Sequence, residues 1–191
     1  MMSEFLTRGT TAGRLTTEQT AEVGQQFLRF HLLPDTTAML PVQQMTEVLT
    51  IPIAQVVPIP HMPAWVLGVY NWRGEILWIV DLGQLIGLAT LHQQATSRSN
   101  YTAVLIHGSE QVPGKQQTGS QKTGKKMLGL LVNQLQDMEW CNPDEIQSPP
   151  VSAVNPELVP FLRGYWLKSN GEILVVLDSN SIIAGMPQSG K

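Results

Sequence analysis

The chain has 191 residues, 42% of them apolar and only 14% charged, with a formal net charge of -3 and a pI near 5.8. That length fits one compact domain at the upper end of its range or two small ones sharing a core. The acidic balance disfavours nucleic acid and anionic membranes, which need clustered Lys and Arg, and the lean charge suggests apolar surface that partners cover.

Met1 to Gly24 is rich in Thr, Gln, Glu and Gly and contains no apolar run of the signal-peptide kind, and no stretch of the chain reaches the ~18 apolar residues of a membrane span. Residues 1–24 are expected as a flexible tail, residues 25–184 as the folded unit and 185–191 as a second tail, in a cytoplasmic protein without membrane insertion. Gln26 to Leu33 alternates, with Leu28, Phe30 and Leu32 on one side and Phe27, Arg29 and His31 on the other, which predicts a half-buried strand ended by a turn at Pro34-Asp35. Met39 to Leu49 carries mixed signals. Pro41 favours a turn and Met45 to Thr50 an extended segment, and the prolines at 52, 58, 60 and 63 predict a surface loop with at most a helical turn over Ile51 to Pro63.

Gly68 to Trp72 and Glu75 to Val80 are apolar runs joined at Arg73-Gly74, a compact hairpin signature, and Asp81 stands where a helix N-cap is needed before Leu82, Leu85 and Ile86. Tyr101 to His107 and Met127 to Leu135 read as two further strands. The connector Gly108 to Lys126 lacks apolar character and reads as a flexible loop, and Asn142 to Pro150 reads as turn-rich surface chain. Leu162 to Leu167 and Glu172 to Leu177 flank Asn170-Gly171, a pair suited to the positive φ values of a tight hairpin, and Asp178 caps a last short helix through Ile183.

The two hairpin blocks repeat each other: Gly-Glu-Ile-Leu-Trp-Ile-Val-Asp at Gly74 to Asp81 and Gly-Glu-Ile-Leu-Val-Val-Leu-Asp at Gly171 to Asp178, each with Pro and Gly upstream (Pro63 and Gly68, Pro160 and Gly164). Short, punctuated strands repeated in this way predict a mainly β fold of two similar small barrels, each too small for a large core of its own and therefore sharing one.

Catalytic chemistry finds little footing. Gly119 to Lys126 approaches a phosphate-binding loop, but Lys126 stands where a magnesium-binding hydroxyl belongs, and the segment precedes a strand. His31, His61, His92 and His107 lack metal-ligand spacing, and the lone Cys141 has Pro and acidic neighbours that raise a thiol pKa. Asp81 and Asp178 sit where caps are needed, so capping outweighs paired acid chemistry. No catalytic residue, cofactor or metal is expected. The block Trp65, Tyr70, Trp72 and Trp78 beside Arg73 reads either as barrel interior or as interface anchors, since Trp and Arg dominate such anchors. A small barrel binding single-stranded nucleic acid through these aromatics is the rival reading, against which the acidic pI argues.

Pro63-x-x-x-x-Gly68-x-x-Asn71-Trp72-Arg73-Gly74, the apolar run after it and Asp81-Leu82 resemble the CheW-like coupling proteins of bacterial chemotaxis, phototaxis and pilus-motility signalling, over roughly Gln26 to Ile183. Leu40-Pro41-Val42, Glu47-Val48, Pro143-Asp144-Glu145-Ile146 and Leu162-Arg163-Gly164 support the resemblance. It implies two intertwined SH3-like β-barrel subdomains around a shared hydrophobic core, with short helices. It also implies a non-enzymatic adaptor in a two-component pathway that links the cytoplasmic tip of a methyl-accepting-type receptor to a CheA-like histidine kinase, with other CheW-like proteins as further partners and receptor arrays as its destination. Carried over by position, Arg73 and Glu47 become the receptor-coupling charges, Asn71 and Gly74 the frame of the turn, and Val48, Leu67 and Val69 the groove lining. The family usually has Leu where this chain has Trp72.

Overall fold

The computed structural model describes residues 24–91, 99–108, 126–148 and 154–187. Ten strands form two five-stranded sheets: β1 (Gln25–Leu32), β2 (Thr36–Pro41), β3 (Met45–Pro52), β4 (Val66–Trp72), β5 (Glu75–Asp81), β6 (Asn100–His107), β7 (Met127–Val132), β8 (Gln134–Cys141), β9 (Leu162–Leu167) and β10 (Ile173–Leu177). One sheet runs β8-β1-β2-β10-β9 and is called here the terminal barrel; the other, the central barrel, runs β3-β6-β7-β5-β4. The chain thus begins in the terminal barrel, builds the whole central one, and returns.

Each sheet curls until its edges meet. The chain after β3 makes a 3-10 turn at Ile53–Gln55 and then pairs Val57 with Val69 of β4; after β8, a 3-10 turn at Pro143–Glu145 leads to Gln147 paired with Tyr165 of β9. The closing segments pass so near the first hairpin strand that a Cβ on Gly68 would lie 2.1 Å from the Val57 carbonyl oxygen, and one on Gly164 2.7 Å from that of Gln147. This is why both copies of the repeat open on glycine.

Strand alternation sorts side chains into two kinds of core. Leu28, Phe30 and Leu32 of β1, Val175 and Leu177 of β10, Val104 and Ile106 of β6, and Leu128, Leu130 and Val132 of β7 meet in one cluster between the barrels. Their neighbours turn inward instead: Ala103, Leu105 and Leu131 with Ile51, Leu77, Ile79 and Tyr101 fill the central barrel, and Phe27, Met39, Cys141, Leu174 and Val176 fill the terminal one. The expected shared core is present, and Leu28, Phe30 and Leu32 of β1 face it. Burial pushes the Cys141 thiol up to about 11, with the Glu145 carboxylate adding to the shift.

Both aspartates cap as expected. The Asp81 carboxylate accepts hydrogen bonds from Gln84 N–H at 3.1 Å and Leu91 N–H at 2.9 Å, at the start of the one-turn helix α1 (Leu82–Leu85). Asp178 accepts from Asn180 N–H and the Ser181 hydroxyl at the start of α2 (Ser179–Ala184).

Four expectations need correction. Thr36–Pro41, where only a turn at Pro41 was expected, is a full strand of the terminal barrel, with Pro41 at its end opposite Phe27. Met127 to Leu135 is not one strand: it breaks at Asn133, whose N–H bonds His31 O, and Gln134 onward joins the other sheet as an edge strand beside β1. The second hairpin does not use positive φ at Asn170. Its turn is longer, with Gly171 N–H donating to Lys168 O, only Gly171 at φ 85°, and Asn170 Oδ1 accepting from Glu172 N–H. Finally, Glu172 precedes β10 and does not begin it. The residues 1–23 and 188–191 of the two tails, residues 109–125 of the Gly108 to Lys126 connector, and His92 lie outside the described residues.

Candidate functional site

The Arg73-Gly74 turn is the tightest loop of the central barrel. Trp72 pairs with Glu75 across it, leaving two turn residues, and both take positive φ: 51° at Arg73 and 85° at Gly74. Two positive φ values give the type I′ geometry whose twist matches a β-hairpin. Asn71 Oδ1 accepts from Gly74 N–H at 3.0 Å and clamps the turn. Gly74 has open space around its missing Cβ, so its glycine answers to backbone conformation alone.

The turn also closes the barrel at this end, reaching across to β3. Trp72 Nε1–H donates to Glu47 Oε1 at 2.8 Å, and an Arg73 terminal N–H donates to Glu47 Oε2 at 3.1 Å. The Arg73 guanidinium carbon sits 4.8 Å from the centre of the Trp72 ring. Each Glu47 oxygen therefore has a donor, while the Arg73 side chain remains 69% exposed. The sequence-predicted Glu47, Asn71, Trp72, Arg73 and Gly74 come together in this one assembly.

Val48, Leu67 and Val69 stand apart from it. Glu47 and Leu49 face into the barrel side of β3, so alternation turns Val48 outward, where it is exposed. Leu67 packs against the central-barrel core and lines a cavity of about 400 Å³ with Ile53, Val56, Pro58, Ala64, Gln84, Thr90 and Tyr101. Val69 exchanges two backbone hydrogen bonds with Val57. In that cavity wall the Tyr101 hydroxyl is held above its ordinary pKa, first by burial and then by the Asp81 carboxylate.

The four aromatic rings of the block divide. Trp65 and Trp78 pack on the shared core, Tyr70 and Trp72 on the central-barrel core, and all four are half-buried. Two large exposed side chains, Met138 and Trp140, lie on β8 and were not singled out from the sequence. The signal was Met138-x-Trp140 alternating with Asp137 and Glu139, masked by fusing the start of β8 to β7.

The corresponding end of the terminal barrel is closed by charge. Lys168 takes the place of Trp72 and pairs with Glu139, which also accepts from Arg29 at 2.9 Å, and Arg29 reaches Glu172. Burial works against ionising Glu139, yet the hydrogen bonds from Lys168 and Arg29 outweigh it and hold the carboxyl below its ordinary pKa. Among the described residues no group of three or more His, Cys, Asp and Glu is arranged to hold a metal, and no helix is long and apolar enough to cross a membrane.

The family model described as the CheW-like domain matches residues 26–185. The chain is 27% identical over 125 residues to the chemotaxis protein CheW of Rhizobium meliloti (strain 1021), covering 65% of this chain and 67% of that protein. Its fold is similar to the crystal structure of the scaffolding protein TtCheW from Thermoanaerobacter tengcongensis, with a TM-score of 0.60 and 17% identity over 81% of this chain and 89% of that one. With a match that spans both barrels and the Arg73 turn, the chain belongs to the CheW-like domain family.

Proposed function

We propose that the protein is a non-enzymatic signalling adaptor that couples the cytoplasmic tip of a methyl-accepting-type receptor to a CheA-like histidine kinase in chemotaxis or a related motility pathway. It acts in the cytoplasm, is recruited to receptor arrays, and takes other CheW-like proteins as further partners. The folded unit is residues 25–184, with the two tails and the 108–126 loop as accessory segments. The receptor surface is the central-barrel turn with Arg73 at its tip, framed by Asn71 and Gly74 and backed by Glu47 and Trp72, with Val48, Leu67 and Val69 as flanking apolar contacts.

One observation carries this reading. Arg73 holds a left-handed backbone that glycine would adopt without strain, yet its guanidinium is anchored on one side and open on the other. An L residue in that conformation costs roughly 1–2 kcal/mol, which the exposed ion pair, about 0–1 kcal/mol, and the contact with the Trp72 ring, about 0.5–1 kcal/mol, at most offset. Stability alone does not account for arginine here; a partner contact does. Anchored arginines are typical of the few residues that dominate an interface.

The test is co-sedimentation with membranes carrying the receptor. Arg73→Ala should lose on the order of 2 kcal/mol or more of binding while the circular dichroism spectrum stays unchanged. Wild-type retention by the variant refutes the assignment of the site.

A further inference from the structure

We propose that Trp72 is a positioning residue for Arg73, a role that rests on the receptor-surface reading above and adds to it. Trp72 makes both contacts needed for that job. Its indole N–H holds one oxygen of Glu47, which turns the other oxygen toward Arg73, and its ring lies under the guanidinium at 4.8 Å. The ring is itself fixed, because it packs against the apolar core of the central barrel. Arg73, a long side chain that is 69% exposed, would otherwise sample many rotamers and lose that freedom on binding. Held between ring and carboxylate, it keeps several donors of its planar fork for a partner, offered in one direction.

The fold does not require a tryptophan at this place. In the second copy of the hairpin Lys168 occupies the equivalent position, facing Glu172 across the turn as Trp72 faces Glu75, and that barrel closes through ion pairs to Glu139. Lys168 itself lies 5.8 Å from the centre of the Trp166 ring, but its ammonium is bound to Glu139, and Ser169, the residue after Lys168, is no arginine. In the first turn the ring holds a largely exposed arginine; in the second the ring lies beside a mostly buried lysine already committed to closing the barrel.

The decisive experiment needs no receptor. The purified full chain is treated with p-hydroxyphenylglyoxal, an arginine-selective reagent, and the rate at Arg73 is read by peptide mass spectrometry in wild type, Trp72→Phe, Trp72→Leu and Glu47→Gln. Loss of the platform should speed modification about two- to fivefold in Trp72→Leu, the range an exposed cation–π contact supplies. Trp72→Phe, which keeps a ring and loses the N–H, should fall between the two. In the same samples the indole N–H resonance of Trp72, assigned by its disappearance in Trp72→Phe, should move in Glu47→Gln. Arg73 reacting at the wild-type rate in Trp72→Leu overturns the proposal, as does an unmoved indole resonance. Should Trp72→Leu fail to fold, the Phe variant and the resonance decide in the same way. Failure of Arg73→Ala to lose receptor binding would count against the receptor surface alone, since the reagent and the resonance report on Trp72 directly.

Discussion

Arg73 sits at φ 51°, and that value makes a prediction opposite in sign for stability and for binding. Glycine relieves a strain of roughly 1–2 kcal/mol at such a position and gives back part of it through a more flexible unfolded chain. Arg73→Gly should therefore leave stability to urea unchanged or raise it by up to about 1 kcal/mol, while weakening receptor co-sedimentation by the same ~2 kcal/mol or more expected of Arg73→Ala. A large loss of stability would show that the arginine is structural. Asn71→Ala, which removes the acceptor for Gly74 N–H, should instead cost about 1 kcal/mol in urea unfolding. At this scale much was legible: the dipeptide Arg73-Gly74 between apolar runs marks a tight turn, and the family resemblance put Asn71 in its frame. The Trp72–Glu47 hydrogen bond was not, because 25 residues separate its partners and only barrel closure joins them.

Between elements, the two hairpins show how one sequence pattern serves two mechanisms. The first ends in two residues of positive φ, the second in a longer turn with Gly171 alone in the left-handed region. The first seals its barrel with an indole and one carboxylate, the second with Arg29, Glu139, Lys168 and Glu172. Because the Glu139 carboxyl is held below the ordinary glutamate value of 4.5, its stabilisation is complete above that pH and is lost as pH falls through the lower folded value. Acid unfolding followed by circular dichroism should show this limb, and Glu139→Gln should flatten it while costing about 1–3 kcal/mol at neutral pH. The caps differ too. Asp81 is fully buried and accepts two backbone N–H bonds, Asp178 accepts one together with a hydroxyl. Asp81→Ala should cost about 2–3 kcal/mol against ~1 for Asp178→Ala, and equal losses in thermal unfolding would contradict the difference. Strand β8 escaped the sequence reading because its alternation, exposed at Met138 and Trp140 and charged at Asp137 and Glu139, places salt bridges where a barrel interior usually places apolar groups.

For the whole molecule, the interleaved order of strands makes the two barrels a single packing problem. Leu130 lies in the shared cluster with residues of both sheets, so Leu130→Ala should cost about 2–5 kcal/mol. Both barrels should melt in one transition, with tryptophan fluorescence and far-ultraviolet circular dichroism superimposing; two separated transitions would mean that each barrel stands alone. The repeat of Gly-Glu-Ile-Leu made two similar barrels legible, and the parity of Leu28, Phe30 and Leu32 marked one apolar face of β1, while Phe27 on the other face is buried in the terminal-barrel core. What no repeat reveals is that β7 and β8 are consecutive yet belong to different barrels, since the switch is marked only by Asn133-Gln134 between the apolar run Met127 to Val132 and Leu135.

The scaffold is present twice and the arginine turn once, and this asymmetry supports the proposed receptor surface on the central-barrel hairpin. The most direct measurement is a pull-down from cells with tagged wild-type protein and its Arg73→Ala variant, probed for a methyl-accepting-type receptor and a CheA-like kinase. Recovery of both by the wild type, with the receptor lost from the variant, is the predicted result. Equal recovery of the receptor by both proteins, or of neither partner by the wild type, would contradict it.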